Sequence, residues 1–160
     1  MRVRTAAAAL LVMVAAAAGG CGSDGSSGPV TTAGPATKTD WVNAVNAACR
    51  KFGTEKANLR ALVPKGRDDV LDWLSRSSAL LDQEVAAVRA IPAPDDAPDG
   101  VERGLAGLER ASNLFREAHA NITAGRDWKA EVARVLPKLQ AAGAPAGKVL
   151  GDAGLIECAT

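Results

Sequence analysis

The chain has 160 residues, of which 48% are hydrophobic and only 3% aromatic, and it contains no tyrosine. Its apolar residues are mainly alanine, leucine and valine, so the composition favours helices and argues against a β-sandwich. The formal net charge is +1. A nucleic-acid-binding protein needs a basic face to neutralise phosphates, and this balance of charges argues against such a partner.

Residues 1–20 have the organisation of a secretory signal peptide. Arg2 and Arg4 give a positively charged start, and residues 6–18 form an uncharged apolar run. A signal-peptide core has about 7–15 apolar residues, whereas a helix that spans a bilayer needs about 20. The sequence therefore predicts export and not a membrane-spanning helix.

The apolar run ends in small residues followed by a cysteine, Ala18-Gly19-Gly20-Cys21. This segment resembles a bacterial lipobox, whose cysteine receives a lipid on its thiol and becomes the first residue after cleavage. Ala18 departs from that pattern, which more often has leucine there. The resemblance implies that Cys21 carries an acyl anchor such as palmitate, on the extracytoplasmic face of the cell membrane. An uncleaved anchor, or secretion with an incidental cysteine, is the alternative.

Residues 21–38 are predicted to be the lipidated cysteine and a flexible tether. The segment 22–38 is rich in glycine, serine, threonine and proline and has almost nothing to bury. As a flexible coil it would span roughly 20–25 Å on average, enough to hold a domain clear of lipid headgroups. A merely disordered terminus would have the same composition, so this prediction depends on Cys21.

Four apolar seams with three- and four-residue spacing follow in residues 39–160, and each predicts a helix of about 20–25 residues. The seams consist of Trp41, Val42, Val45, Cys49, Phe52, Leu59 and Val63, then Leu71, Leu74, Ser78, Leu81, Val85, Val88 and Ile91, then Val101, Leu105, Leu108, Ser112, Phe115, His119 and Ile122, and last Trp128, Val132, Val135, Leu139, Ala142, Ala146 and Val149. Lys56 interrupts the first seam. The connections are short, so the sequence predicts an all-α fold, an up-down four-helix bundle. Pro137 and Pro145 are expected to bend the last helix without ending it.

Two cysteines remain besides Cys21, and export would place them where disulfides persist. Cys49 lies on the seam of the first predicted helix, and Cys158 follows the last helix. In an up-down bundle the last helix ends beside the start of the first, and Gly154 lets the chain reverse there. We therefore predict a Cys49–Cys158 disulfide that staples a C-terminal tail to the bundle, with residues 155–156 buried beneath it. Two free buried cysteines are the alternative.

Several short segments resemble a group of small helical lipoproteins and secreted proteins of high-GC Gram-positive (actinobacterial) type. The segments are residues 47–49, 88–92, 124–127 and 153–158. Ala153 stands where the group's ending has leucine, and Arg126 is inserted in the break before the last helix. These motifs are structural, and the group has no assigned activity. The resemblance therefore implies a fold and a cellular location but no activity.

No constellation of residues in the sequence predicts catalysis. His119 is the only histidine, and on the seam of the third predicted helix a structural role is expected. A metal site in a bundle would need further ligands, and no Glu-x-x-His pair exists. Both methionines, Met1 and Met13, lie in the signal peptide, which argues against haem ligation. A nucleophile elbow, Gly-x-Ser-x-Gly, is also absent from the sequence. We therefore predict no enzyme, no metal and no cofactor.

Two features of the predicted helices suggest contacts. Trp73 lies off the seam of the second helix and is a candidate surface contact residue. Gly104 and Gly107 weaken the third helix, which suggests that a neighbouring helix approaches closely there.

The leading interpretation is a lipid-anchored module, outside the cytoplasm, that acts by binding an unknown protein or ligand. The alternative is a carrier of an apolar small molecule or lipid in a gap between helices. That gap would be opened by Pro137, Pro145, Ala142 and Gly143 in the last helix.

Overall fold

The computed structural model describes residues 37–159, and this part of the chain contains helices and no strands. The helices are α1 (Lys38–Arg50), α2 (Gly53–Ala61), α3 (Arg67–Arg89), α4 (Val101–Thr123) and α5 (Trp128–Asp152). The all-α prediction is confirmed. The predicted signal peptide, Cys21 and the tether up to residue 36 lie outside the described residues.

Local sequence signals account for the ends of these helices. The Thr37 hydroxyl accepts a hydrogen bond from the Asp40 amide at 3.1 Å, and the Asp127 carboxylate accepts one from the Ala130 amide at 2.8 Å. Each bond satisfies a backbone donor that the first turn of a helix leaves unpaired. Gly100, immediately before α4, has a φ of 84°, a conformation that favours glycine.

The predicted first helix is two helices in the structure, and the described residues otherwise agree with the predicted four-helix bundle. The amides of Lys51 and Phe52 bond back three residues, to Ala48 and Cys49, so α1 ends in a tightened turn. Gly53 then begins α2. Glycine adopts a wider range of backbone conformations than any other residue, which allows the chain to change direction there. Together α1 and α2 take the place of the first helix of the predicted bundle.

The long helices pack as antiparallel neighbours. The end of α3 meets the beginning of α4, and the end of α5 returns to that same level, where α1 completes one hydrophobic core. That core contains Trp41, Val45, Cys49, Val85, Val88, Val101, Leu105, Leu108, Ala146, Leu150, Leu155 and Cys158. A second core, at the opposite end, contains Val70, Leu74, Ala118, Ile122 and Val135, and no residue of α1.

The second core lacks α1 because α1 is short. Its 13 residues extend about 20 Å, whereas the 23 residues of α3 extend about 35 Å. Past its end the chain continues as α2, which packs on α3. Beyond the end of α1, the bundle therefore lacks a fourth long helix beside α3, α4 and α5.

Helices α4 and α5 approach closely through glycines, as the sequence suggested. A Cβ added to Gly107 would lie 2.5 Å from the Ala146 Cβ, and one added to Gly104 would lie 2.6 Å from the Leu150 Cγ. Neither position has room for a side chain at the present separation of the helices.

Helix α5 runs unbroken through Pro137 and Pro145, so neither proline ends it. It stops at Asp152, and Gly154, with a φ of 82°, reverses the chain. The Leu155 amide then bonds to the Leu150 carbonyl at 2.9 Å, which closes the end of the helix.

Candidate ligand-binding cavity

The C-terminal tail is fixed to α1 by a disulfide and by hydrogen bonds. Cys49 and Cys158 are bonded, with their Cα atoms 5.1 Å apart, which confirms the predicted staple. The Asn46 side chain donates to the Gly154 carbonyl at 2.8 Å and accepts from the Glu157 amide at 3.1 Å. The tail is thereby held as a structural element along the bundle.

Only half of the apolar pair in the tail is buried as predicted. Leu155 is fully buried in the first core, but the side chain of Ile156 is 61% exposed. The prediction for Ile156 is wrong because the tail makes a turn after Leu155, and successive residues in a turn face different directions.

A cavity of about 340 Å³ opens where α2, α3, α4, α5 and the tail come together. Most of its surface is apolar. The lining residues are Lys56, Leu59, Arg60, Trp73, Ser77, Leu80, Leu81, Glu84, Leu108, Ala111, Phe115, Leu139, Gly143, Gly147, Cys158 and Ala159. Of the four residues expected to open a gap between helices, Gly143 lines this cavity, whereas Pro137, Pro145 and Ala142 do not. No residue of α1 lines the cavity.

Two aromatic rings form part of the wall of the cavity. The rings of Trp73 and Phe115 meet edge to face, with centroids 5.3 Å apart. The indole N–H of Trp73 donates to the Leu59 carbonyl at 3.2 Å and so ties α3 to α2. Trp73, the candidate contact residue of the sequence, is half-buried. It lines the cavity and also packs on the second core.

An ion pair forms the polar part of the wall. Lys56 Nζ donates to Glu84 Oε1 at 2.6 Å, and the exposed fractions of the two side chains are 8% and 0%. Lys56 Nζ also lies 3.4 Å from the Glu157 carbonyl oxygen in the tail. Glu84 Oε2 is buried and has no hydrogen-bond partner among the described residues. Burial raises the pKa of Glu84, and the bond from Lys56 opposes that rise only in part.

Sequence reasoning missed Glu84. It lies beside Val85 of the α3 seam, where a glutamate normally faces solvent. The only signal was Lys56, a cation in the middle of an apolar seam, because a buried cation requires a partner of opposite charge. The sequence alone does not say which of the 18 acidic residues that partner is.

One group in residues 37–159 has the composition of a metal site. Ligand atoms of Cys49, Glu84 and Cys158 lie within 4.8 Å of one another. Both sulfurs are bonded in the disulfide, so neither is a thiolate, the form of cysteine that binds metals. His119 is partly buried on α4 and belongs to no such group.

Comparison with known proteins assigns the chain to no group. No protein-family model matches it, and no curated protein or solved structure matches it either. Within residues 37–159, no helix combines the length and the apolar character needed to cross a bilayer.

Proposed function

We propose that this protein is a lipid-anchored module, on the extracytoplasmic face of the cell membrane, that binds an apolar small molecule. The cavity carries this proposal, since an apolar pocket with a few polar groups is the usual form of a small-molecule site. It is bounded by side chains of four helices and by a tail that a disulfide holds in place. A carrier role, the alternative suggested by the sequence, is thus the more specific form of the binding module.

The size of the cavity limits the ligand. A cavity of about 150 Å³ in a protein interior holds one benzene molecule, so a volume of 340 Å³ accommodates roughly 12–14 carbon atoms. This is a single alkyl chain of medium length or a small ring system.

Trp73 favours a small ligand over a protein partner. A residue that anchors a protein interface projects from the surface, whereas this ring packs on Phe115 and its N–H is already bonded to Leu59. The ring can therefore contact a molecule inside the cavity without any rearrangement.

Three observations support the proposed location, anchored to the cell membrane outside the cytoplasm. They are the signal-peptide pattern, the lipobox-like residues before Cys21 and the disulfide, since disulfides persist in oxidising compartments. Cys21→Ala should prevent attachment of the lipid, so that the protein no longer partitions into detergent with the membrane fraction. Mass spectrometry of the wild-type N-terminus is the direct measurement. An unmodified N-terminus at another residue would contradict this location.

Binding is tested with bromodecane, whose bromine quenches the fluorescence of nearby tryptophans. Titration should quench a saturable part of the emission, and Trp73→Phe should remove that part. Trp128→Phe is the control, because Trp128 packs on the second core and does not line the cavity. Solvent extraction of protein purified from its own membranes, followed by mass spectrometry, should release a bound apolar molecule.

A variant that fills the cavity gives the sharpest test. A Cβ added to Gly143 meets no atom within 4 Å, so Gly143→Leu places a side chain in the open space without a clash at its base. It should abolish quenching by bromodecane. Gly53→Leu is the matched control, since Gly53 is also helical, has open space around it and does not line the cavity. Equal quenching in both variants and in wild type would overturn the proposal.

A further inference from the structure

Arg60 is the charged residue at the mouth of the cavity. It lies in the last turn of α2 and is exposed to solvent, whereas the other described residues that line the cavity are buried or partly buried. Arg60 thus marks where the cavity meets water. A charged group of a ligand can remain hydrated at this point while an apolar chain enters the cavity.

The guanidinium group of Arg60 has no partner within the described part of the chain, where no hydrogen bond or ion pair includes its side chain. Glu55, the one acidic residue of α2, pairs with Arg76 of α3 instead. Glu84 accepts its bond from Lys56, and Arg60 lowers the pKa of Glu84 less than Lys56 does. The N–H donors of Arg60 are therefore available to a ligand.

The charges of the lining favour an anion at this position. The lining contains two cations, Lys56 and Arg60, and one carboxylate, Glu84, so one positive charge is in excess. Lys56 and Glu84 are buried and bonded to each other, which leaves Arg60 as the charge that a ligand meets. A carboxylate matches the two parallel N–H donors of a guanidinium group, whereas an ammonium group is repelled by it.

The apolar part of the cavity accounts for the rest of the ligand. Trp73, Phe115, Leu80 and Leu139 offer a wall that an alkyl chain can cover. The volume of 340 Å³ corresponds to roughly 12–14 carbon atoms. A single chain of medium length fills this space when its head group stays at the mouth.

Building on the proposed function, we infer that the ligand is a single-chain carboxylate of medium length, a fatty-acid anion. Its carboxylate binds the Arg60 guanidinium group at the mouth, and its chain lies in the cavity against Trp73 and Phe115. The cavity thus selects the head group of the ligand through one exposed cation and the chain through size.

Selectivity is measured by competition with bromodecane in the full-length protein. Decanoate, decylammonium and decane have the same number of carbon atoms, and each is used below the concentration at which it forms micelles or separates. Decanoate should bind more tightly than decylammonium by roughly tenfold, because Arg60 attracts the first head group and repels the second. Added salt should narrow this difference and leave the affinity for decane unchanged or higher, since the ion pair is partly exposed.

Arg60→Gln should weaken the binding of decanoate by roughly three- to tenfold and leave that of decane unchanged. Arg103→Gln is the matched control, since Arg103 of α4 is also exposed and does not line the cavity. Both variants lose the same charge, so a difference between them reports contact at the mouth. Arg60→Glu should reverse the preference, so that decylammonium binds more tightly than decanoate. Circular dichroism checks that each variant is folded.

The outcomes separate the two proposals. Absence of quenching by bromodecane in wild type overturns the proposed function. Saturable binding that Gly143→Leu blocks, with decylammonium as tight as decanoate or tighter in wild type, keeps the cavity but overturns the inference on the carboxylate. Equal losses of decanoate affinity in Arg60→Gln and Arg103→Gln overturn it as well, because the effect would then come from the net charge of the protein.

Discussion

Lys56 and Glu84 form an ion pair in the interior of the domain, with Lys56 Nζ 2.6 Å from Glu84 Oε1. Almost none of the surface of either side chain is exposed to solvent. Removing two charges from water is costly, and their attraction offsets that cost only when both are present. Lys56→Met should therefore destabilise the fold by about 3–5 kcal/mol, because it leaves a buried carboxyl group without its partner. Urea unfolding followed by circular dichroism measures the difference.

The matched control for this pair is the double variant Lys56→Met with Glu84→Leu. Replacing both charges by apolar side chains of similar size should restore the stability to within about 1 kcal/mol of wild type, or exceed it. A double variant less stable than Lys56→Met alone would contradict the argument.

Gly107 in α4 and Gly143 in α5 allow a second test, because Gly107 is closely packed and Gly143 has open space around it. A Cβ at Gly107 would lie 2.5 Å from the Ala146 Cβ and 3.3 Å from the Ala142 carbonyl oxygen, so Gly107→Ala must push the helices apart. We expect a loss of about 1–3 kcal/mol in the free energy of unfolding. Gly143→Ala meets no atom within 4 Å and should gain up to ~1 kcal/mol from its better helix propensity. Equal effects of the two substitutions would show that α4 and α5 are not closely packed at Gly107.

The parts of this fold that the sequence predicted depend on periodicity and on chain order. Seams spaced by three and four residues predicted α3, α4 and α5, and the order of the helices predicted the pairing of Cys49 with Cys158. Both signals are local, or follow from topology alone. They do not depend on the angles at which helices cross.

The break at Phe52 and Gly53 was not predicted, because no proline marks it and the apolar seam continues across it. Residues of α2 line the cavity and residues of α1 do not, so a prediction of one continuous first helix could not place it. Glu84 was missed for a similar reason, since the direction in which a residue beside a seam points depends on how α2 packs on α3. Interhelical geometry, which periodicity does not encode, thus determines the candidate site.

Glu131 should make the free energy of unfolding decrease as the pH falls into the acid range, a dependence called the acid limb below. Hydrogen bonds from Arg134 and then Asn121 lower the pKa of this buried carboxyl group from 4.5 to about 2. The folded state therefore binds its proton less readily than the unfolded state, so the stabilisation is complete above pH 4.5 and is lost as the pH falls towards 2. The raised pKa of Glu84 has the opposite effect, and that effect lies on the other side of 4.5.

Measuring the free energy of unfolding between pH 5 and pH 2 tests this effect. Glu131→Gln should flatten the acid limb and lower the stability at neutral pH, because the ion pair between Arg134 and the buried Glu131 carboxylate is lost and Arg134 keeps only Glu117. Glu102→Gln is the control, since that carboxylate is 75% exposed and its ion pair with Arg89 lies at the surface. An unchanged acid limb in Glu131→Gln would be inconsistent with the lowered pKa.

The disulfide should control both the stability of the domain and the affinity for its ligand. Cys49 and Cys158 are separated by 109 positions, and closing so long a loop restricts the unfolded chain strongly. Replacing both cysteines by alanine should reduce the free energy of unfolding by about 2–5 kcal/mol. Cys158 and Ala159 also line the cavity, so a loosened tail opens one of its walls and bromodecane should bind several-fold more weakly.

Hydrogen exchange distinguishes a loosened tail from general unfolding. In the double cysteine variant, amides of the tail and of α1 should lose protection together, because the disulfide joins these two segments. Amides near the second core should keep theirs, since that core contains no residue of α1 or of the tail. Ile156→Ala is the control within the tail, because this side chain is mostly exposed and does not line the cavity. If the cysteine variant binds bromodecane as tightly as wild type does, the tail is not a functional wall of the cavity, whatever its effect on stability.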